Sequence, residues 1–270
     1  MKSSLTEAEH RLEDTYWWFV GRRAIIDSVL GRFAPGNRVA VDVGCGSGRN
    51  MEILSRYADH VAGLDRSIAA LSIAAERGLP VGCVDGHSLP LADASVDLVA
   101  ALDVLEHMDD DVRALKEFNR VLRPGGLLLV TVPAYRFLWS EHDEALMHRR
   151  RYVASELHMK LNRTGYGVLM RSYAVFFAFF PILFYRLYRG LFPKDALLPK
   201  ASHVILPLPL NRLFTSILRL EALLMNVTRL PWGTSIVMVA QKEAVSGLGS
   251  VIDGLQEDTN RASEDCLVRR

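Results

Sequence analysis

The sequence runs to 270 residues with a formal net charge of +1; half of it is hydrophobic (50%) and 23% is charged. That composition excludes a chain disordered throughout, and the balanced charge gives no global case for a nucleic-acid partner. The three cysteines, Cys45, Cys83 and Cys266, are odd in number and widely spaced. They fit neither a disulfide framework nor a zinc knuckle and point to a reducing compartment.

In chain order, residues 1–34 read as a helical arm. Its start holds Glu7, Glu9, Glu13 and Asp14 and no apolar stretch of the kind a secretory signal carries. The arm then runs through Tyr16-Trp17-Trp18-Phe19 into Gly21-Arg22-Arg23. These aromatics are expected to pack against the fold or to cover a ligand cleft. Residues 35–172 alternate short aliphatic runs with amphipathic stretches. Arg38–Val43, Val61–Leu64, Val81–Val84, Val96–Leu102 and Leu127–Val132 read as strands, and a sixth is expected near Tyr166–Arg171. Between them, Arg49–Tyr57, Ser67–Arg77 and Asp110–Leu122 read as helices, the last ending at Arg123-Pro124-Gly125-Gly126. Strand–helix alternation implies crossover connections and a mostly parallel sheet with helices on both faces.

Residues 173–230 have another character. From Ala145 to Lys194 there are nine Lys and Arg residues and one acid, Glu156, and Ser172–Tyr185 is charge-free and rich in aromatics. That run is too short to cross a bilayer and contains Pro181. A basic, aromatic-rich helix of this kind is expected either to lie in a membrane interface or to close over an acceptor as a lid. An apolar loop, His203–Leu210, and a second apolar helix, Leu213–Val227, follow. Residues 231–242 hold a last strand, Thr234–Ala240, and 243–270 read as a disordered tail.

The strongest motif is Val39-Ala-Val-Asp42-Val-Gly44-Cys45-Gly46-Ser-Gly48-Arg49, an aliphatic strand running through glycines into a helix. Glycines at such a turn admit positive φ and close approach of the backbone, and a helix start offers free N–H groups. The spacing differs from the dinucleotide fingerprint, since Arg49 stands where its third glycine belongs, and no Walker Gly-Lys-Ser/Thr follows. An NAD-dependent oxidoreductase is thereby disfavoured.

The pattern Asp-x-Gly-x-Gly-x-Gly resembles the class I S-adenosylmethionine (SAM)-dependent methyltransferases, of the type-11-like group. Downstream stretches resemble the same family in order: Val61-Ala-Gly-Leu-Asp65, Cys83-Val-Asp85-Gly86, Pro90–Val99 and Arg120–Val130. The resemblance implies a Rossmann-like, seven-stranded sheet with an antiparallel last strand and SAM as cofactor. It places Asp42, Gly44, Cys45, Gly46 and Gly48 about the methionine portion, Asp65 by the ribose, and Asp85 and Gly86 by the adenine, with Arg66 and Asp103 as further cofactor-binding candidates. No covalent role is expected of Cys45, because a sulfonium needs no enzyme nucleophile.

The acceptor side is expected after the fourth and fifth strands. Glu106-His107 resembles a dipeptide that shapes the family's pocket. Asp103-x-x-Glu106-His107 also resembles the Glu-x-x-Glu-His metal site of ubiquinone-pathway O-methyltransferases, with Asp replacing the first Glu; no metal is assigned. After the fifth strand, Trp139, His142, Asp143, His148, Arg149, Arg150 and Tyr152 crowd one loop. His148, His142 and His107 are the candidate bases, because imidazole titrates near neutral pH and can take a hydroxyl proton. Trp139, Arg149, Arg150 and Tyr152 are the candidate acceptor contacts, the arginines for a phosphate or carboxylate.

The expected function is SAM-dependent methylation of a hydroxyl on an amphiphilic acceptor, a lipid, quinone precursor or lipid-linked glycan. The protein is expected in the cytoplasm, in peripheral contact with the inner face of the membrane and without nucleic acid. A soluble apolar acceptor, and a non-catalytic SAM-binding partner of a membrane pathway, are the alternatives.

Overall fold

The computed structural model describes residues 12–34, 36–191 and 206–244. The head of the arm, His203 in the apolar loop, and the tail from 245 onward lie outside them. Seven strands form one sheet: β1 (Asn37–Val43), β2 (Ala58–Asp65), β3 (Val81–Cys83), β4 (Val96–Leu102), β5 (Leu122–Pro133), β6 (Tyr166–Ala174) and β7 (Ser235–Lys242). Their order is β3-β2-β1-β4-β5-β7-β6, parallel except for β7, which runs antiparallel to both its neighbours. This is the Rossmann-like sheet that the family resemblance implied.

Eight α-helices are described: α1 (Trp17–Phe33), α2 (Met51–Leu54), α3 (Ile68–Glu76), α4 (Asp111–Val121), α5 (Glu141–Ala145), α6 (Ala154–Arg163), α7 (Phe179–Leu191) and α8 (Leu208–Leu224). Successive strand residues point to opposite faces, so the central strands feed two cores. Val41, Val99, Ala101, Leu128 and Val130 pack with Leu115 and Phe118 of α4 and Leu157 and Leu161 of α6. Ala40, Leu98, Ala100, Leu127 and Leu129 pack with Ile25, Ile26 and Val29 of α1 and Ala222 of α8. Residues buried on both faces explain why these strands read as continuous aliphatic runs.

Two elements differ from their expected spans. The helix expected over Arg49–Tyr57 is only the turn Met51–Leu54, because the positive-φ Gly48 precedes it and β2 begins at Ala58. Conversely, β5 starts at Leu122, which pairs with Val96 before a register shift, so the Pro124-Gly125-Gly126 signal lies inside a bulged strand rather than in a connector.

The arm and the insertion share one helical layer. Gly21 of α1 meets α8 so closely that a Cβ there would stand 2.2 Å from Leu218 Cδ1 and 2.5 Å from Leu218 Cβ. Gly21→Ala should gain about 0.5–1 kcal/mol of helix propensity. It should lose more, about 1–3 kcal/mol, because Leu218 Cβ cannot move without parting the helices. A thermal melt is therefore expected to show a lower Tm for Gly21→Ala; a higher Tm would mean the helices separate freely.

Candidate active site

The strand order reverses between β1 and β4, and in open α/β sheets ligands bind beyond the carboxyl ends of the strands at such a point. The glycine loop leaves β1 there. Gly44 has φ +74° and a Cβ on it would lie 2.3 Å from Val104 Cγ2, so only glycine fits. The loop is closed on β2 by Gly44 N–H and Cys45 N–H, both donating to the Leu64 carbonyl (2.6 and 3.1 Å). Cys45 is buried, and burial pushes its thiol far up, consistent with a packing role.

Asp65 ends β2 and accepts from Gly46 N–H (2.9 Å) and Ser67 N–H (2.8 Å), which fixes its carboxylate at the loop. Two backbone bonds leave further acceptor lone pairs for a vicinal diol. Asp42 is fully buried, and neither carboxylate oxygen has a hydrogen-bond partner among the described residues. Burial, reinforced by the nearby Asp65 charge, pushes it up to about 8. A buried carboxyl without a donor is costly, and a ligand ammonium is the group that would complete it. The methionine portion of SAM carries one, so these residues fit that cofactor. Asp85, beyond β3, is half-exposed and bonds His87 through Nδ1 (2.7 Å) and N–H (2.9 Å). Gly86 leaves room for Met108, whose Cε would lie 2.4 Å from a Cβ there. Arg66 is exposed at the rim.

The opposite wall is built from β4, β5 and the arm. Asp103, with φ +58°, turns off the end of β4. Its carboxylate accepts from Thr131 Oγ1 (3.2 Å) and pairs with Arg22 of α1. Arg22 also donates to Thr131 Oγ1 (2.6 Å) and lies 4.4 Å from the Trp18 ring centroid. Burial pulls its guanidinium down to about 10. Glu13 bonds Ser47 and Asp14 pairs with Arg49, so the arm closes on the glycine loop as well.

With Asp103 committed to Arg22, the Asp103-x-x-Glu106-His107 stretch does not converge as a ligand set. Glu106 is fully buried, its oxygens without hydrogen-bond partners among the described residues, and burial pushes it up to about 8. Among the described residues, Glu106, His107 and His148 bring one potential ligand atom each within 4.8 Å of one another.

The loop after β5 organises His148. Tyr135 leaves the strand with φ +55°, a short 3-10 turn spans Arg136–Leu138, and Asp143 caps α5 by accepting from Ser140 N–H (2.9 Å). Asp143 Oδ1 lies 2.9 Å from His148 Nδ1 and accepts from Arg151 Nε (2.7 Å). Burial would raise the Asp143 carboxyl, but His148, Arg151 and Arg186 together hold it far below the usual carboxylate range. An ionised Asp143 keeps the His148 proton on Nδ1 and leaves Nε2 as the basic nitrogen. The His107 ring stands edge-on to that of His148, with centroids 4.8 Å apart.

The other loop candidates part company. Tyr152 is fully buried and bonds the Leu105 carbonyl (3.2 Å) and Asp111 (2.7 Å); the expected acceptor contact is corrected, since its hydroxyl cannot reach a ligand. Arg149 and Arg150 are turned back onto the loop after β4. Arg149 donates to the His107 carbonyl (3.0 Å) and pairs with Asp109, while Arg150 donates to the Met108 and Asp109 carbonyls (3.0 and 2.8 Å). They brace the two loops rather than forming an open anion cradle. Trp139 and His142 are half-buried around the start of α5. An open groove of about 650 Å³ between α1 and α8, lined by Tyr57, Arg219 and Asn226 among others, lies toward the start of β2 and away from this site.

Residues 41–130 match the methyltransferase-domain family model, and they contain the glycine loop, Asp65, Asp85 and Asp103. Over those residues the chain carries a class I SAM-dependent methyltransferase domain. A probable SAM-dependent methyltransferase of Mycolicibacterium smegmatis is 34% identical over 160 residues, covering 58% of this chain and 61% of that protein. A probable tRNA methyltransferase 9B of Mus musculus is 37% identical over 132 residues, or 48% of this chain and 27% of that one. The chain thus spans less than two thirds of either relative. The putative methyltransferase solved with its Haloferax volcanii Trm112 activator has the same fold, with a TM-score of 0.59 at 18% identity, covering 90% of this chain and 98% of that one.

Proposed function

We propose that this protein transfers the methyl group of SAM to a hydroxyl of an amphiphilic acceptor at an anionic membrane surface, the inner face of the cytoplasmic membrane. The acceptor class is a lipid, a quinone precursor or a lipid-linked glycan. SAM, when bound, supplies a methyl already activated on a sulfonium. The chain's own contribution is to orient the acceptor hydroxyl and take its proton at His148 Nε2, with Asp143 holding Nδ1–H and stabilising the imidazolium.

The exposed ridge on α7 supports the membrane reading. Phe180, Phe184, Tyr185, Leu187 and Tyr188 are exposed, Phe184 and Tyr188 by 65% and 62%. The same helix touches the active-site loop, since its buried Phe179 packs against Tyr135, ring centroids 5.8 Å apart. The sequence has no acid from Leu157 to Lys194, so the ridge lies in a basic segment. Among the described residues, no helix is long and apolar enough to cross a membrane. The mouse relative's name refers to tRNA, but an apolar ridge and a net charge of +1 suit a lipid surface better than a polyanion.

Vesicle sedimentation tests this. With phosphatidylglycerol vesicles the protein is expected to pellet, and high salt should weaken that binding without abolishing it, because apolar insertion is not screened. Of the phenylalanines at 176, 177, 179 and 180, Phe176 and Phe179 turn inward, Phe176 stacking on Trp232 at 5.0 Å. The informative variant is therefore Phe180→Ser with Phe184→Ser and Tyr188→Ser, expected to stay in the supernatant with unchanged SAM affinity. A wild type indifferent to vesicles would give the lead to a soluble apolar acceptor under residues 173–227.

A further inference from the structure

We infer that Arg186 is a positioning residue that couples the seating of α7 on the membrane to the His148–Asp143 pair. The inference rests on the proposed role of that pair and of the exposed ridge. The helix α7 has two stripes at helical spacing. Phe180, Phe184, Leu187 and Tyr188 face outward. Phe179, Ile182 and Arg186 form the inward stripe: Phe179 meets Tyr135, Ile182 packs by Trp17, Val175 and Leu218, and Arg186 reaches Asp143.

Asp143 has two kinds of cationic neighbour. Arg151 belongs to its own loop, bonds it at 2.7 Å and is pinned by a second bond to the Ala134 carbonyl at the end of β5 (3.0 Å). Arg186 comes from the insertion, its side chain is only 18% exposed, and its NH1 stands 3.7 Å from Asp143 Oδ2 without a hydrogen bond there. A largely buried guanidinium in a loose pair is worth little until the gap closes. Insertion of the outer stripe into a bilayer fixes the helix, and with it the inner stripe. Arg186 then closes on Oδ2 while Oδ1 stays on His148 Nδ1. Docking thus orders the base only when the protein stands on the surface that presents its acceptor.

The test follows the imidazole ¹⁵N resonances of His148 in the full chain, with and without phosphatidylglycerol nanodiscs. In wild type the nanodiscs are expected to sharpen and shift the His148 Nδ1 signal, as its hydrogen bond to Asp143 becomes fixed in one geometry. Arg186→Gln should still sediment with vesicles and melt like wild type but lose that response; Arg186→Lys should keep part of it. On a polar lipid extract with labelled SAM, Arg186→Gln should lower kcat about tenfold with an unchanged KM for SAM. A His148 response in Arg186→Gln equal to wild type overturns the coupling alone. A wild type that ignores the nanodiscs overturns the membrane reading and the coupling together.

Discussion

Replacing His148 by alanine is expected to lower turnover by about 10²–10⁴-fold, the usual effect of removing a general base, with SAM affinity nearly unchanged. The two effects separate because His148 is held from the loop after β5, by Asp143 at 2.9 Å, and not by the glycine loop or Asp65. His142→Ala is the control, since the bond to Asp143 belongs to His148. Transfer rates from labelled SAM, beside calorimetric SAM affinities, check this. If His148→Ala turns over like wild type, the exposed His107, whose ring abuts it, becomes the candidate base.

The second large effect concerns Asp42. Asp42→Asn keeps the shape but cannot carry the charge that meets an ammonium. A hydrogen bond between charged groups contributes about 1.5–3 kcal/mol, so SAM affinity should fall roughly ten- to hundredfold. The pH dependence follows from the direction of the shift. Asp42 is pushed from 3.8 up to about 8 in the folded chain. Its contribution to ligand-free stability is therefore present in full at low pH and is lost as pH rises through about 8. SAM selects the ionised form, so its affinity should rise between about pH 6 and 7.5, where an α-amino group is still mostly protonated. Asp42→Asn should flatten both trends. Melting curves and titrations across that range decide it; an affinity that does not change with pH in wild type would remove Asp42 from the ammonium site.

Local pattern carried most of the fold. Val96–Leu102 is the observed β4, and the other strands were legible to within a few residues except β5, whose early start is hidden by a Pro-Gly-Gly inside the strand. The placement of the glycine loop and of the acids at 42, 65 and 85 was legible because it depends on strand ends, which the chain order fixes. Side-chain direction in the loop after β5 was not. Arg149, Arg150 and Tyr152 carry the polar groups that an acceptor site needs, yet tertiary contacts turn all three onto the loop after β4 or into the core. Arg22 was missed as a cleft residue because its partners, Asp103 and Thr131, are remote in sequence. One local signal existed: Thr131 is a lone hydroxyl in the aliphatic run Leu127–Val132, and a polar group buried there needs a partner.

The most direct test is methyl transfer itself. The purified full chain is incubated with methyl-labelled SAM and the total lipid extract of its host, and the products are partitioned between organic and aqueous phases. Label entering the organic phase with wild type, and falling at least a hundredfold with His148→Ala, is the expected result. Bound SAM with no label in any lipid product, or label confined to a soluble product, would contradict methylation of a membrane-presented acceptor.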